Sequence, residues 1–362
     1  MKDNSPRVAF DFRGSPREKI SEVESGVAPR ESLLGFFQLR DNGWQVVASD
    51  TRWRGRLGSV WLRLQRFIEI PDMGTLRDWW QADVIVITTR LSVPLALSAK
   101  MLGKPVVFLD ALQSVPRRYW RRLGARAALW LADDVIIYSA AQGREWAQKL
   151  RLRADRFHAI PYGIDCDFCR LPIRSEQDEL SDQRDYVLSV GRDPERDFVT
   201  LAHATANAGV DLQLVTLPYL VPQEVRDMRH VIVHERLSYE KLFTLYRDAR
   251  AAVVPVRRNV SYMAGIRAVM EAMALGVPVI ATRTAGLEEY FDDKTHLLFV
   301  EPGDKVGLQS SIARLIDFPD EPHRMVGTAS TLVRDKYSAE RTISALEKRL
   351  YSALGREIDA NG

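Results

Sequence analysis

Residues 261–281 read SYMAGIRAVMEAMALGVPVIA, and their types and order suit the capture of an anion. Gly265 stands just before a run of good helix formers, where the missing Cβ lets backbone come close to a ligand. A helix start at Gly265, Ile266 and Arg267 offers N–H groups without partners inside the helix, at the end where negative charge is favoured. Glu271 follows about one and a half turns further in, and an ionised carboxylate there accepts hydrogen bonds through two oxygens. Gly276 then ends the helix ahead of an apolar strand. Upstream, Arg192 and Arg196 stand four residues apart behind the run YVLSV and can bring positive charge to the same ligand. Plainer readings stay open: an ordinary helix–strand unit closed by a glycine, and ion pairs of Arg196 with Glu195 or Asp197.

Such residues act only if a frame holds them. Apolar runs at residues 7–12, 44–48, 83–88, 104–109 and 134–138 alternate with helical patterns at about 31–42, 93–102 and 117–131. β-branched runs bounded by Gly or Pro predict strands buried on both faces, and alternation with helices predicts a parallel sheet. Residues 173–185 (IRSEQDELSDQRD) are polar and without period, so they are read as a linker. The rhythm then restarts, with strands near 186–190, 212–216, 231–233, 251–255, 278–281 and 297–299 and helices near 198–208, 239–248, 266–275 and 304–317. The prediction is α/β: two doubly wound, Rossmann-like parallel-sheet domains, 1–172 and 186–336, facing across a cleft. Ligands of such sheets bind beyond the carboxyl ends of the strands. In the tail, 337–362, Ile343, Leu346, Leu350 and Leu354 recur at helical spacing, which predicts an amphipathic helix crossing back to the first domain.

Composition bounds the partners. The chain has 362 residues, 46% hydrophobic and 27% charged, which fits two ordinary globular domains and excludes wholesale disorder. A net charge of +3 gives no signature of nucleic acid, and none is expected as a partner. Residues 1–170 nevertheless carry 27 Lys+Arg against 19 Asp+Glu, leaving 24 against 29 for the rest, and all eight Trp fall in that first part. No run reaches the roughly 18 apolar residues of a membrane-spanning helix, and the first residues lack a signal-peptide core, so a cytoplasmic location is expected. The two cysteines, Cys166 and Cys169, form a single CxxC that reads as ordinary reduced thiols. Neither a P-loop nor a GxGxxG after a first strand is present.

Four stretches, in order, carry a resemblance. They are IPYGID with Phe168 (160–168), YVLSVGRDPER (186–196), LFTLYRDARAAVVPV (242–256), and EAMALGVPVIAT with AGLEE (271–289). Together they resemble the group 1 glycosyltransferases, of family 4 type and GT-B fold, over about residues 130–335. The resemblance implies a nucleotide-diphosphate sugar as donor, UDP- or GDP-linked, with no metal or other cofactor required. It implies Arg192 and Arg196 on the phosphates, with the helix start at Gly265, Ile266 and Arg267, and Glu271 on the ribose hydroxyls. A diphosphate leaving group gains charge as the glycosidic bond breaks, so fixed positive groups act most on the transition state. Backbone at Glu235, Arg236 and Leu237 falls where the family holds the nucleobase.

The chain also departs from the family. Met263 stands where the first glutamate of an E-x7-E pair is expected, and no histidine precedes His158. Asp110, ending the run KPVVFL, occupies the place of the missing histidine. It is read as the general base for an acceptor hydroxyl, as a group orienting the sugar, or as a plain turn cap. Asp11 and Glu31 are further acceptor-side candidates, and Gly14 matches where the family brings backbone near phosphate or acceptor. Asp165-Cys166-Asp167 spells the D-x-D metal motif of another glycosyltransferase fold, but it lies in the turn between domains and no metal is assigned. An epimerase of the same fold, or a non-catalytic scaffold, are the alternatives to sugar transfer.

Finally, residues 116–131 read PRRYWRRLGARAALWL. Arg117, Arg118, Trp120, Arg121 and Arg122 suit a helix lying on an anionic membrane, or else a core-packed helix with a solvated basic face. With the basic, Trp-rich first half, this suggests a lipid-linked acceptor or polysaccharide precursor met at the inner face of the membrane, besides a plain sugar acceptor.

Overall fold

The computed structural model describes residues 5–12, 16–49, 69–170, 186–318 and 322–356. Gly14, the linker expected at 173–185, and the Trp53 and Trp61 neighbourhood lie outside the described residues. The chain divides into two compact units, Met1–Tyr162 with Ala339–Gly362, and Gly163–Ser338.

The first unit runs β1 (Arg7–Asp11), α1 (Arg17–Glu24), α2 (Phe36–Asp41), β2 (Gln45–Ser49), α3 (Met73–Gln81), β3 (Val84–Thr88), α4 (Val93–Met101), β4 (Val106–Leu109), α5 (Tyr119–Leu131), β5 (Asp134–Ile137), α6 (Ala140–Leu150) and β6 (Phe157–Ala159). Its strands form one sheet in the order β2-β1-β3-β4-β5-β6, and each neighbouring pair is parallel. Strands β3 and β4 are buried along their whole length, as continuous apolar runs require when both faces are covered. One face packs Ile85, Ile87 and Phe108 against Trp79, Ala96, Leu129 and Trp146 from four helices. Helix starts are fixed locally: Asp72, Ser92 and Ser139 each accept a backbone N–H of the first turn.

The second unit runs β7 (Tyr186–Val190), α7 (Phe198–Ala208), β8 (Asp211–Val215), α8 (Gln223–Arg226), β9 (Val231–His234), α9 (Tyr239–Asp248), β10 (Ala251–Val254), α10 (Ile266–Ala274), β11 (Val279–Thr282), β12 (Leu298–Val300), α11 (Lys305–Asp317) and α12 (His323–Lys336). Its sheet order is β12-β11-β10-β7-β8-β9, again parallel throughout. Both sheets are thus the doubly wound kind that the alternation predicts.

The last helix, α13 (Ala339–Ala353), belongs to the first unit. Ile343, Leu346 and Leu350 are its buried stripe. Arg349 Nε donates to Asp134 Oδ2 at 2.8 Å, and Asp134 Oδ1 lies 2.6 Å from His158 Nδ1. Trp44 Nε1 donates to Glu347 Oε1 at 2.7 Å.

One expectation fails. The helix expected over 31–42 is split into a single tight turn (Arg30–Leu33) and α2, because Leu34 (φ 51) and Gly35 (φ 98) take left-handed backbone. A Cβ on Gly35 would lie 2.7 Å from Ile343 Cδ1, so the break makes room for α13. A distant segment imposes it, and local periodicity carries no trace of that.

Candidate active site

In the second unit the site is built around Arg196. The sharp turn after β7 brings its guanidinium back to the carboxyl end of that strand, where Nη2 donates to Val190 O at 2.8 Å. It rests against two glycines: a Cβ on Gly191 would lie 2.7 Å from its Nε, and one on Gly265 would lie 2.8 Å from Nη2. Nε and Nη1 are buried without a hydrogen-bond partner among the described residues. Burial pulls its pKa down to about 10, against the opposing pull of Asp193. An unpartnered buried donor costs about 1–3 kcal/mol, more when charged, so the arrangement is incomplete without an acceptor.

The ion pairs that sequence left open for Arg196 are taken up elsewhere. Glu195 pairs with Arg258, and Asp197 caps α7 by accepting Thr200 N at 3.1 Å and Thr200 Oγ1 at 2.7 Å. Arg192 stays exposed on the same loop.

Gly265 (φ 78) is the N-cap of α10 and supplies no side-chain cap, which leaves the helix start open to a ligand. Ile266 requires a correction: its N–H is not free but donates to Met263 O at 3.3 Å, as the chain turns tightly into the helix. The Arg267 side chain turns along the helix instead of over its start. Its Nε donates to Glu271 Oε1 at 2.8 Å, and its Nη2 to Tyr239 Oη at 3.0 Å. Glu271 is therefore buried as one half of an ion pair, oriented within reach of its own helix.

Sequence reasoning missed the loop that closes this site. Arg257 N donates to Glu195 O at 2.9 Å, and Arg257 Nε to Arg196 O at 3.1 Å. Tyr262 Oη donates to Asp193 Oδ1 at 3.2 Å, and burial with the nearby Asp193 charge pushes the phenol well above its ordinary range. Asn259 Oδ1 accepts Ala285 N at 2.9 Å. Met263 packs beside Gly286, its Sδ 3.1 Å from where a Cβ would sit. Arg257 and Tyr262 lie more than sixty residues from their partners, and Asn259 and Met263 more than twenty, so no local pattern announces such pairs.

In the first unit, Asp110 follows β4 with left-handed backbone (φ 50), held by Asp110 N donating to Ile136 O at 3.1 Å. Thr89 (φ 59), at the end of the adjacent strand, donates its N–H to Leu109 O at 3.1 Å. Two non-glycine residues in this region side by side mark a strained strand edge. Burial pushes the Asp110 carboxyl up to about 7. Asp11, ending β1, is buried and paired with Arg90; burial raises its pKa and Arg90 opposes the rise. Arg90 also faces Glu69 at 3.8 Å. Glu31 is buried in the turn before α2. Asp165, first of the D-x-D, accepts Phe168 N at 2.9 Å and so caps its own turn.

Residues 187–317 match the family model described as Glycosyl transferases group 1. An MMP alpha-(1->4)-mannosyltransferase of Mycolicibacterium hassiacum is 25% identical over 236 residues, 60% of this chain and 54% of that protein, so the chain spans about half the length of this curated relative. Among solved structures, HepE of Anabaena in complex with UDP and glucose superposes with a TM-score of 0.70 at 17% identity, covering 96% of this chain and 100% of that one. Sucrose-phosphate synthase of Thermosynechococcus elongatus does so with a TM-score of 0.68 at 18% identity, covering 96% and 100%. The two parallel sheets are those of the GT-B fold, and the second unit is similar to the group 1 glycosyl transferase domain over residues 187–317.

Proposed function

We propose that the protein transfers a sugar from a nucleotide-diphosphate donor, UDP- or GDP-linked, to an acceptor hydroxyl. The observation that carries this reading is the buried Arg196 guanidinium, with two unpartnered nitrogens, beside the uncapped start of α10. A diphosphate is a ligand of matching charge. As the glycosidic bond breaks, its leaving oxygen gains charge, and a preorganised cation with helix N–H groups stabilises that change more than the ground state. Exposed Arg192 adds a second cation, and Glu271, held by Arg267, accepts from the ribose hydroxyls. The domain match and the UDP seen in the Anabaena neighbour support the same reading.

Asp110 is assigned as the group that receives the acceptor proton. A carboxyl near 7 is divided between base and acid at neutral pH, which is where proton transfer is most effective. Asp11 and Glu31 stand as further groups for an acceptor in this unit. The acceptor is read as a sugar or a lipid-linked precursor, and the protein as a cytoplasmic one with peripheral membrane contact, in keeping with its basic, Trp-rich first half. No described helix is long and apolar enough to cross a membrane.

Calorimetry with a panel of UDP- and GDP-sugars tests the donor assignment. Saturable binding by the native chain, weakened at least about 10-fold in Arg196→Gln, supports it; absence of binding to every member overturns it. Incubation with donor alone separates an epimerase, which converts donor without a second substrate.

A further inference from the structure

Helix α5 carries apolar residues on two opposite sides. Ala125, Ala128 and Leu129 are buried, whereas Tyr119, Leu123 and Trp130 are 75%, 49% and 71% exposed. At about 100° per residue these three fall within some 40° of one another, so they form one outward stripe. Trp120 flanks it, 60% exposed, with Arg121 stacked over its ring at 5.0 Å. Arg117, Arg118, Arg121, Arg122 and Arg126 are all exposed, and residues 116–131 hold no acidic side chain. On the adjoining helix α4, Leu97 and Met101 are exposed as well.

A helix facing only water needs no outward aromatic stripe, since its inner side already packs on the core. The structure assigns this face of α5 to docking on an anionic phospholipid surface. Tyrosine and tryptophan suit the headgroup level, where an apolar ring and a polar tip are both satisfied. The arginines alternate with the aromatics instead of ringing them, and a lipid surface presents phosphate beside acyl chain at every position, as that mixture requires. The inference deepens the lipid-linked reading of the acceptor and rests on it for its purpose, while the surface itself stands on α4 and α5.

Flotation of the full chain with vesicles of phosphatidylcholine, with and without phosphatidylglycerol, tests it. Expected are binding to the anionic vesicles alone, loss at high salt, and a blue shift of tryptophan emission. Arg121→Gln with Arg122→Gln should weaken binding at least about 10-fold, and Trp120→Ser with Trp130→Ser should abolish the shift. A thermal melt and the donor calorimetry, unchanged in these variants, show them folded. Equal binding to both vesicles, none to either, or variants that bind like the native chain would overturn the inference, as would an acidic protein competing the chain off the vesicles. Vesicle binding without donor binding would sink the transfer reading and leave this one standing.

Discussion

Arg196 holds its guanidinium so close to Gly265 that a Cβ on the glycine would fall 2.8 Å from Nη2 and 2.5 Å from Val254 Cγ1. Glycine is required there twice over, by contact and by its φ of 78. Gly265→Ala should therefore destabilise the protein by about 1–3 kcal/mol and weaken donor binding, because the arginine has to move. A thermal melt and calorimetry on the same variant check both, and a full melt with unaltered affinity would refute the contact argument.

Removing Arg196 should act in the opposite sense on stability. A buried cation with two unpartnered nitrogens contributes little to folding, and replacing it with an apolar chain of similar length relieves desolvation. Arg196→Met is expected to keep or raise the Tm while transfer falls about 10–100-fold, the worth of one charge-assisted hydrogen bond. Steady-state rates and a melt, measured together, read the two effects.

With Asp110 as the proposed base, activity should depend on pH. Its carboxyl, raised by burial to about 7, must be ionised to take a proton, so the rate should rise with pH on a limb centred near 7. Stability runs the other way. The folded chain holds the proton more tightly than the unfolded one, so stability is full below the ordinary carboxylate range and falls as pH climbs toward 7. Asp110→Asn tolerates the left-handed backbone and should remove both the limb and that fall. A limb that persists in Asp110→Asn assigns the base elsewhere.

The tail is tied through Asp134, whose side chain is 2% exposed and meets both Arg349 and His158. Arg349→Ala leaves that carboxylate with one partner and should cost about 1–3 kcal/mol. Arg349→Lys should restore part of it. Urea unfolding of the three proteins measures the difference.

Much of this was legible from residue order. The two rounds of strand and helix, the tail stripe of Ile343, Leu346 and Leu350, and the glycine-led helix at 266 follow from period and punctuation, which act over a few residues. What stayed hidden depends on distant neighbours. Nothing near Leu34 foretells that Ile343 will press on Gly35, and nothing near Asp193 foretells Tyr262. The helix pattern offers Ile266 as a free donor, since the tight turn to Met263 belongs to the irregular loop before the helix and has no period of its own. The left-handed backbone of Asp110 likewise goes with its hydrogen bond to Ile136 on the neighbouring strand, which the local run KPVVFL does not announce.

The first unit reaches completion only with residues 339–353, since α13 supplies the side chains that cover Gly35 and Trp44. A growing polypeptide emerges in order, so the later unit has its whole sequence available on the ribosome before the earlier one does. The amino-terminal portion must wait, partly uncovered, until residues 339–353 have been made, and a truncation that spares Gly163–Ser338 but drops α13 strands it in that state.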